Sequence, residues 1–252
     1  MIEQQGFLRL VKGSLGKTTF VKSKDGYRAQ EKMVVSTGRF KNDPKFARVR
    51  ENAADFGHAA TDGKVLRKAL NSLLESSTDS KLPSRLVKRI LQIIKADHNS
   101  VRGQGNIIDG PTELLEGFEF NAESSFSQVF KPAVISTINR VTGELTVHMD
   151  AFVPIRALLA PKGATHFQFV TAGCEIDFAQ QKFVTDAKQT APLPLDINPT
   201  NVISVVHTVT ANSTLPLVLV VGVRFTIQQG SKSYPLSQSD SNPLTILKVN
   251  KA

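Results

Sequence analysis

Chemistry in this chain would have to come from five histidines, one cysteine, a scatter of carboxylates and two glycine-bearing strings. The histidines, His58, His98, His148, His166 and His207, are spread along the sequence, with no two at a metal-ligand spacing. His148, His166 and His207 fall in stretches with strand character, where a hydrogen-bonded, half-buried imidazole is the ordinary expectation. His166 is the one to inspect, because Cys174 and Asp177 follow within a hairpin's length and a Cys-His pair would make a nucleophile. No local motif supports that pair. The single cysteine excludes an intramolecular disulfide and a multi-cysteine metal site, and its flanks give no sign of an activated thiol.

Neither glycine string makes a nucleotide site. Gly103-Gln104-Gly105-Asn106 lacks the third glycine and the strand-before, helix-after setting of a dinucleotide fingerprint, so it reads as a turn. Gly13-Ser14-Leu15-Gly16-Lys17-Thr18 places two residues between its glycines where a phosphate loop needs four, and a β run rather than a helix follows. No Gly-x-Ser-x-Gly elbow occurs; a Ser-His-Asp set assembled from distant residues stays open, because triads form in space. The expectation is a protein that is not an enzyme, with no catalytic residue, no cofactor and no metal.

What rises above background is charge. Residues 1–102 hold 21 Lys and Arg against 10 Asp and Glu, whereas residues 103–252 hold 10 against 12. Lys12, Lys17, Lys22, Lys24, Arg28, Lys32, Arg39, Lys41, Lys45, Arg48 and Arg50 are interleaved with Phe20, Tyr27, Phe40 and Phe46. Such a segment can neutralise phosphates and stack bases, or it can dock on an acidic surface of another copy of the same protein. Signatures of helix-turn-helix, zinc-finger, RRM and KH modules are absent, so nucleic-acid binding through residues 12–50 would be non-specific. The candidate contact residues on either reading are Lys17, Phe20, Lys22, Lys24, Tyr27, Arg28, Arg48 and Arg50. In the assembly reading, Glu113, Glu116, Glu119 and Glu123 are acidic partners. The absence of tryptophan and the presence of only two tyrosines argue against a carbohydrate platform.

These residues need elements to hold them. Residues 13–35 alternate small or apolar positions with basic ones around Asp25-Gly26, which predicts a β-hairpin with its turn at residues 24–26. Its apolar side is too small to stand alone in water, so it must dock on its own chain or add a strand to a neighbour's sheet. Asp43 as N-cap and Pro44 at the first helical position open a helix carrying Phe46, Val49, Ala53 and Phe56. The apolar stripe resumes at Val65, Leu66, Ala69, Leu70, Leu73 and Leu74 beyond Gly63, where a break is an open alternative. Pro83 opens another amphipathic helix with Leu86, Val87, Ile90, Leu91, Ile93 and Ile94 inward and Arg85, Lys88, Arg89 and Lys95 outward; these helices can pair.

Glycines at 103, 105 and 110 mark a boundary where the basic excess ends. Beyond it, residues 133–139, 144–152, 165–171, 202–209, 217–227 and 244–249 read as strands, with turns at Thr142-Gly143 and Gln229-Gly230. The expected class is α+β: a basic N-terminal region at 1–102 (hairpin plus amphipathic helices), a linker at 103–132 and an antiparallel β-sandwich at 133–252. The longest apolar stretch, 215–223, is broken by Pro216 and Gly222 and followed by Arg224, which suits a buried strand and not a membrane span. The first nine residues lack the apolar region of a signal peptide; the expected compartment at synthesis is the cytoplasm, with export by another route left open.

The strings Gly13-Ser14-Leu15-Gly16, Lys24-Asp25-Gly26-Tyr27, Asp43-Pro44-Lys45-Phe46-Ala47-Arg48, Arg50-Glu51-Asn52 and Gly163-Ala164-Thr165-His166-Phe167 resemble an uncharacterised bacterial family of unknown function, over most of the chain. The resemblance implies a bacterial origin and brings no activity, cofactor or site residue with it. The function expected from the residues is a self-associating structural subunit, of a filament, shell or phage-like particle, that assembles by β-strand addition. The alternative is a non-specific nucleic-acid-binding or packaging protein of capsid-like kind.

Overall fold

The computed structural model describes residues 13–23, 26–31, 35–75, 79–98, 100–230, 232–236 and 241–251. The chain forms two compact units, Met1–Arg50 and Glu51–Ala252. The class is mixed α and β with antiparallel sheets.

In the first unit, β1 (Gly13–Leu15), β2 (Thr18–Ser23) and β3 (Gly26–Glu31) make an antiparallel meander in the order β1-β2-β3. Gly16, at φ 58°, turns the chain from β1 into β2. The β2–β3 register ends with Ser23 opposite Gly26, the hairpin expected around Asp25-Gly26. Lys12, Lys24, Asp25, Lys32, Met33 and Val34 lie outside the described residues. Ser36 caps α1 (Thr37–Asn42) through Arg39 N, and Asp43 accepts from Lys45 N at 3.0 Å. Pro44 then opens a 3-10 turn that leads into α2 (Ala47–Ala69).

In the second unit the buried row of α2 is Ala59, Asp62, Gly63, Val65, Leu66 and Ala69. Gly63 does not break the helix. After α2 come the short α3 (Asn71–Leu74) and the longer α4 (Leu82–Lys95). A β-carbon at Gly63 would stand 3.5 Å from Ile90 and 3.6 Å from Leu86, ordinary contact distances, so the packing of α2 against α4 does not itself demand glycine there. The apolar row expected on α4 is buried at Leu86, Ile90, Ile93 and Ile94. Arg85, expected outward, is instead half-covered. Its guanidinium pairs with Asp79, donates to the carbonyls of Glu119 (2.8 Å) and Phe120 (3.1 Å), and lies 5.3 Å from the Phe118 ring centroid. The periodicity of α4 alone does not reveal a segment folded over its polar side.

Residues 103–132, expected as a linker, pack into the cores. Ile107, Leu115, Phe118 and Phe120 enter the same core as the helices, and α5 (Phe126–Val129) enters another. The glycines that read as punctuation serve close backbone approach: a β-carbon at Gly105 would meet Ile94 at 2.7 Å, and one at Gly110 the Ile93 carbonyl oxygen at 2.5 Å. The compact units divide after Arg50, well before these glycines.

All six strands read from sequence are present: β4 (Ile135–Asn139), β5 (Glu144–Met149), β6 (His166–Asp177), β9 (Ile203–Thr208), β10 (Leu217–Gln229) and β12 (Leu244–Asn250). A short helix, α6 (Pro154–Ala157), follows β5. Unforeseen are β7 (Lys182–Gln189), β8 (Leu193–Pro194) and β11 (Lys232–Pro235). These are polar or proline-bearing and lie at sheet margins, where burial imposes no clean apolar alternation. The larger sheet runs β11-β10-β6-β7, with β12 also on β10 and β8 also on β6; the smaller runs β4-β5-β9.

The β6–β10 pair is the centre of the unit, in register from Leu217 opposite Glu175 to Thr226 opposite His166. Val170, Ala172, Cys174 and Ile176 of β6, with Val218 and Val220 of β10, share a core with α2, α4 and β12. The alternate residues face the other way: Phe167 and Phe169 of β6, with Leu217, Leu219, Val221, Val223 and Phe225 of β10, meet Leu145, Val147 and Met149 of β5. The small sheet is tied to the large one at both margins. Thr208 N donates to Asp186 of β7 at 2.9 Å, and Lys248 of β12 reaches the Ser136 carbonyl of β4 at 3.5 Å.

Where β9 crosses β6 the backbones come very close, and a β-carbon at Gly173 would meet the His207 β-carbon at 2.7 Å. Gly173→Ala is expected to cost about 1–3 kcal/mol as an overpacking change. Gly57→Ala, on an open face of α2 with nothing within 4 Å, is expected to stabilise by about 0.5–1 kcal/mol. Chemical denaturation of the two variants checks both signs.

Candidate functional site

The residues singled out in the basic segment divide by what holds them. Lys17 sits exposed in the β1–β2 turn, Phe20 is half-buried on β2, and Arg28 is exposed on β3. Lys22 and Tyr27 occupy facing register positions on β2 and β3, and Lys24 lies outside the described residues. Arg48 is exposed on α2. Arg50 is committed locally, donating to the carbonyls of Phe40 (2.7 Å) and Asp43 (3.1 Å), so it fastens α1 to the start of α2. The structure thus gathers Lys17, Phe20, Lys22, Tyr27 and Arg28 onto one sheet and leaves Arg48 and Arg50 on a helix.

Two of the carboxylates expected to receive that segment are engaged elsewhere. Glu116 accepts from Val249 N at 2.9 Å, which ties the end of the 3-10 turn Thr112–Leu115 to β12. Glu119 accepts from Phe126 N at 3.0 Å, and burial pushes its carboxyl up to about 7. Glu113 and Glu123 are exposed.

No nucleophile assembles around the cysteine. His166 and Cys174 are eight residues apart on one extended strand, roughly 26 Å at ~3.3 Å per residue, so they do not pair. Cys174 is fully buried against Thr185, and burial pushes its thiol up to about 12. His207 comes nearer to a catalytic pattern. Its Nε2 lies 2.9 Å from Thr171 Oγ1 and its Nδ1 3.7 Å from Asp186 Oδ2, the order hydroxyl, imidazole, carboxylate. The second distance is too long for a hydrogen bond, and His207 and Thr171 are 0% and 1% exposed. Asp186 is held instead by Thr208 N and Lys188, and burial lowers the His207 pKa against the pull of that carboxylate. The group is a polar tie between β6, β7 and β9.

The group that sequence reasoning missed lies in a cleft of about 470 Å³ between α2, the 106–109 loop and the β6–β7 turn. His58 and Asp62, one helical turn apart, face Asn106, Asp109 and Gln181 there, with Ile107, Ile108 and Phe178 as apolar lining. His58 Nδ1 stands 2.9 Å from the Gly105 carbonyl, which fixes the ring with Nδ1 as donor and leaves Nε2 without that proton in the neutral form. Asn106 holds the loop, accepting from Asp109 N at 2.9 Å and donating to Asp109 Oδ2. Asp62 is 7% exposed and, among the described residues, has no hydrogen-bond partner. Burial pushes its carboxyl up to about 6, with the nearby His58 opposing. The i, i+4 pairing of His58 with Asp62 was present in the sequence; nothing local tied it to residues 106–109 or 178–181. Among the described residues no set of three His, Cys, Asp or Glu side chains is placed to hold a metal ion.

Neither a scan against protein-family models nor a search of curated proteins finds a match to the chain, in keeping with resemblance to a family of unknown function.

A carboxyl raised by burial makes the folded state bind protons more tightly than the unfolded one, so stability rises as pH falls from about 6 toward 3.8. Asp62→Asn is therefore expected to be more stable than the natural protein at pH 7, by about 1–3 kcal/mol, with the gain shrinking as pH falls to 4. Urea denaturation midpoints across that range test it; a variant less stable at pH 7 would show that the ionised carboxylate is held favourably.

Proposed function

We propose that the chain is a self-associating structural subunit that assembles through its N-terminal unit by β-strand addition, as in a filament, shell or phage-like particle. The observation carrying this reading is the lack of buried side chains among the described residues of the first unit. No described side chain between residues 13 and 50 is buried, whereas the second unit holds two apolar cores. A small sheet on its own is marginal in water, and on this reading coverage by another copy stabilises it. Among the described residues the outer strands β1 and β3 each pair only with β2, and on this reading their outer edges receive the added strand. On this reading the second unit is the scaffold, a β-sandwich in the finer description, supported by the core that β5 shares with β6 and β10. It acts by packing and carries no catalysis.

A second reading, non-specific nucleic-acid binding or packaging, is favoured by the exposure of Lys17, Lys41, Lys45 and Arg48 in the same unit. One measurement separates the two: light scattering of the full chain, with absorbance at 260 and 280 nm, before and after nuclease. Particles that survive nuclease and carry no nucleic acid are the expected result, and deletion of residues 1–40 is expected to reduce them to a folded, smaller species with its β-sheet circular dichroism retained. An oligomer unchanged by the deletion overturns strand addition. Nuclease-sensitive particles, with binding that weakens steeply as salt rises, would put the packaging reading first.

A further inference from the structure

The cleft beside α2 presents an inconsistency that a ligand would resolve. Asp62 is more than nine-tenths buried, lines the cleft and has no hydrogen-bond partner among the described residues. Buried carboxylates are ordinarily paired, because leaving one unpaired costs more than losing a typical hydrogen bond. Asp55, two turns earlier on the same helix, has a buried Oδ1 with no hydrogen-bond partner but does not line the cleft. Across the cleft Asp109 adds a further carboxylate, already steadied by Asn106. The acceptors are thus in place and a donor is missing. Ile107, Ile108 and Phe178 border the same space and offer an apolar wall.

We propose that this cleft binds a cationic nitrogen group, an ammonium or guanidinium carried on a short aliphatic stem. The cation would donate to Asp62, with Asp109 at the opposite side of the opening, and the stem would lie along Ile108 and Phe178. His58 Nε2, left as an acceptor by the bond at Nδ1, can take a further N–H of a guanidinium or ammonium group. Charge and shape select together: an anion would meet the carboxylates of Asp62 and Asp109, and a neutral alcohol of the same length would leave Asp62 without its counter-charge. The same chemistry can come from a free small amine or from a Lys or Arg side chain of a second copy.

Agmatine, which carries an ammonium and a guanidinium on a four-carbon stem, is the probe, with 1-pentanol as a neutral comparison. Titration calorimetry on the full chain at pH 7.5 is expected to show saturable agmatine binding, weakened at least about tenfold in Asp62→Asn and unchanged in Asp150→Asn. Asp150 is an exposed carboxylate outside the cleft. Pentanol is expected to bind at least about tenfold more weakly than agmatine. Following the His58 ring resonances during the same titration provides a readout at the cleft itself, independent of the variants. If those resonances stay still while agmatine binds, or if Asp62→Asn binds it as well as the natural protein, or if pentanol matches agmatine, the proposal is overturned. The source of the cation is read separately: agmatine dissolving the oligomer would assign the group to a second copy, and binding that leaves the oligomer intact would assign it to a free amine.

Discussion

Everything in the second unit hangs on one antiparallel pairing. Strands β6 and β10 are apolar on both faces along most of their length, so neither can sit at a surface, and each face must be covered by a separate layer. The alternation of side chains along a strand then decides which residues meet the helices and which meet the small sheet. Seven buried positions of β6 and β10 go to the second core and six to the first. With each fully buried Val, Leu or Phe contributing ~1.5–3 kcal/mol, the pair is the largest single source of favourable burial in the unit, offset by the entropy of ordering it.

Besides the buried His207–Thr171 tie, charged side chains hold this arrangement together at its margins. Glu175, opposite Leu217 at the end of the pairing, accepts from Thr210 N (3.1 Å) and Ser213 Oγ (2.8 Å), which draws the chain after β9 onto β6. Arg140 plays a similar part beyond β4: it reaches the carbonyls of Ser213, Leu215 and Asn250, so a single guanidinium ties together chain segments that hydrophobic contact alone would leave to slide. On the helical side Arg224 of β10 donates to the carbonyls of Ser72 (2.9 Å) and Leu73 (3.2 Å) and thereby anchors α3. In each case a charged side chain supplies donors or acceptors that the ends of regular elements leave unmet.

Much of this was legible from residues alone, for a physical reason that also explains the rest. The strands with continuous or alternating apolar runs, such as 217–227, carry their burial in their composition, and so do the apolar row of α4 and the Asp43-Pro44 helix start. Strand β7, written Lys-Phe-Val-Thr-Asp-Ala-Lys-Gln, is largely exposed and has no such signature; it exists because β6 has a free edge for it. The segment at 103–132 was misread because glycine has two uses, marking a turn and permitting close approach, and sequence does not say which. The cleft needed three segments brought together, at 58–62, 106–109 and 178–181, and Gln181 there adopts a φ of 56° that its residue type does not advertise.

The order in which the layers are written along the chain has a consequence for synthesis. Helices α2 and α4 leave the ribosome before most of what covers them, with Leu66, Leu86, Ile90 and Ile93 ready for burial, while the strands that pack on them begin at His166 and end at Asn250. The first core therefore cannot close until almost the whole of this sequence has emerged, and its contacts are among the longest-range in the molecule. Until β12 has emerged the helical face stays open to water and to other nascent chains, a state that rewards slow, chaperoned production over rapid accumulation.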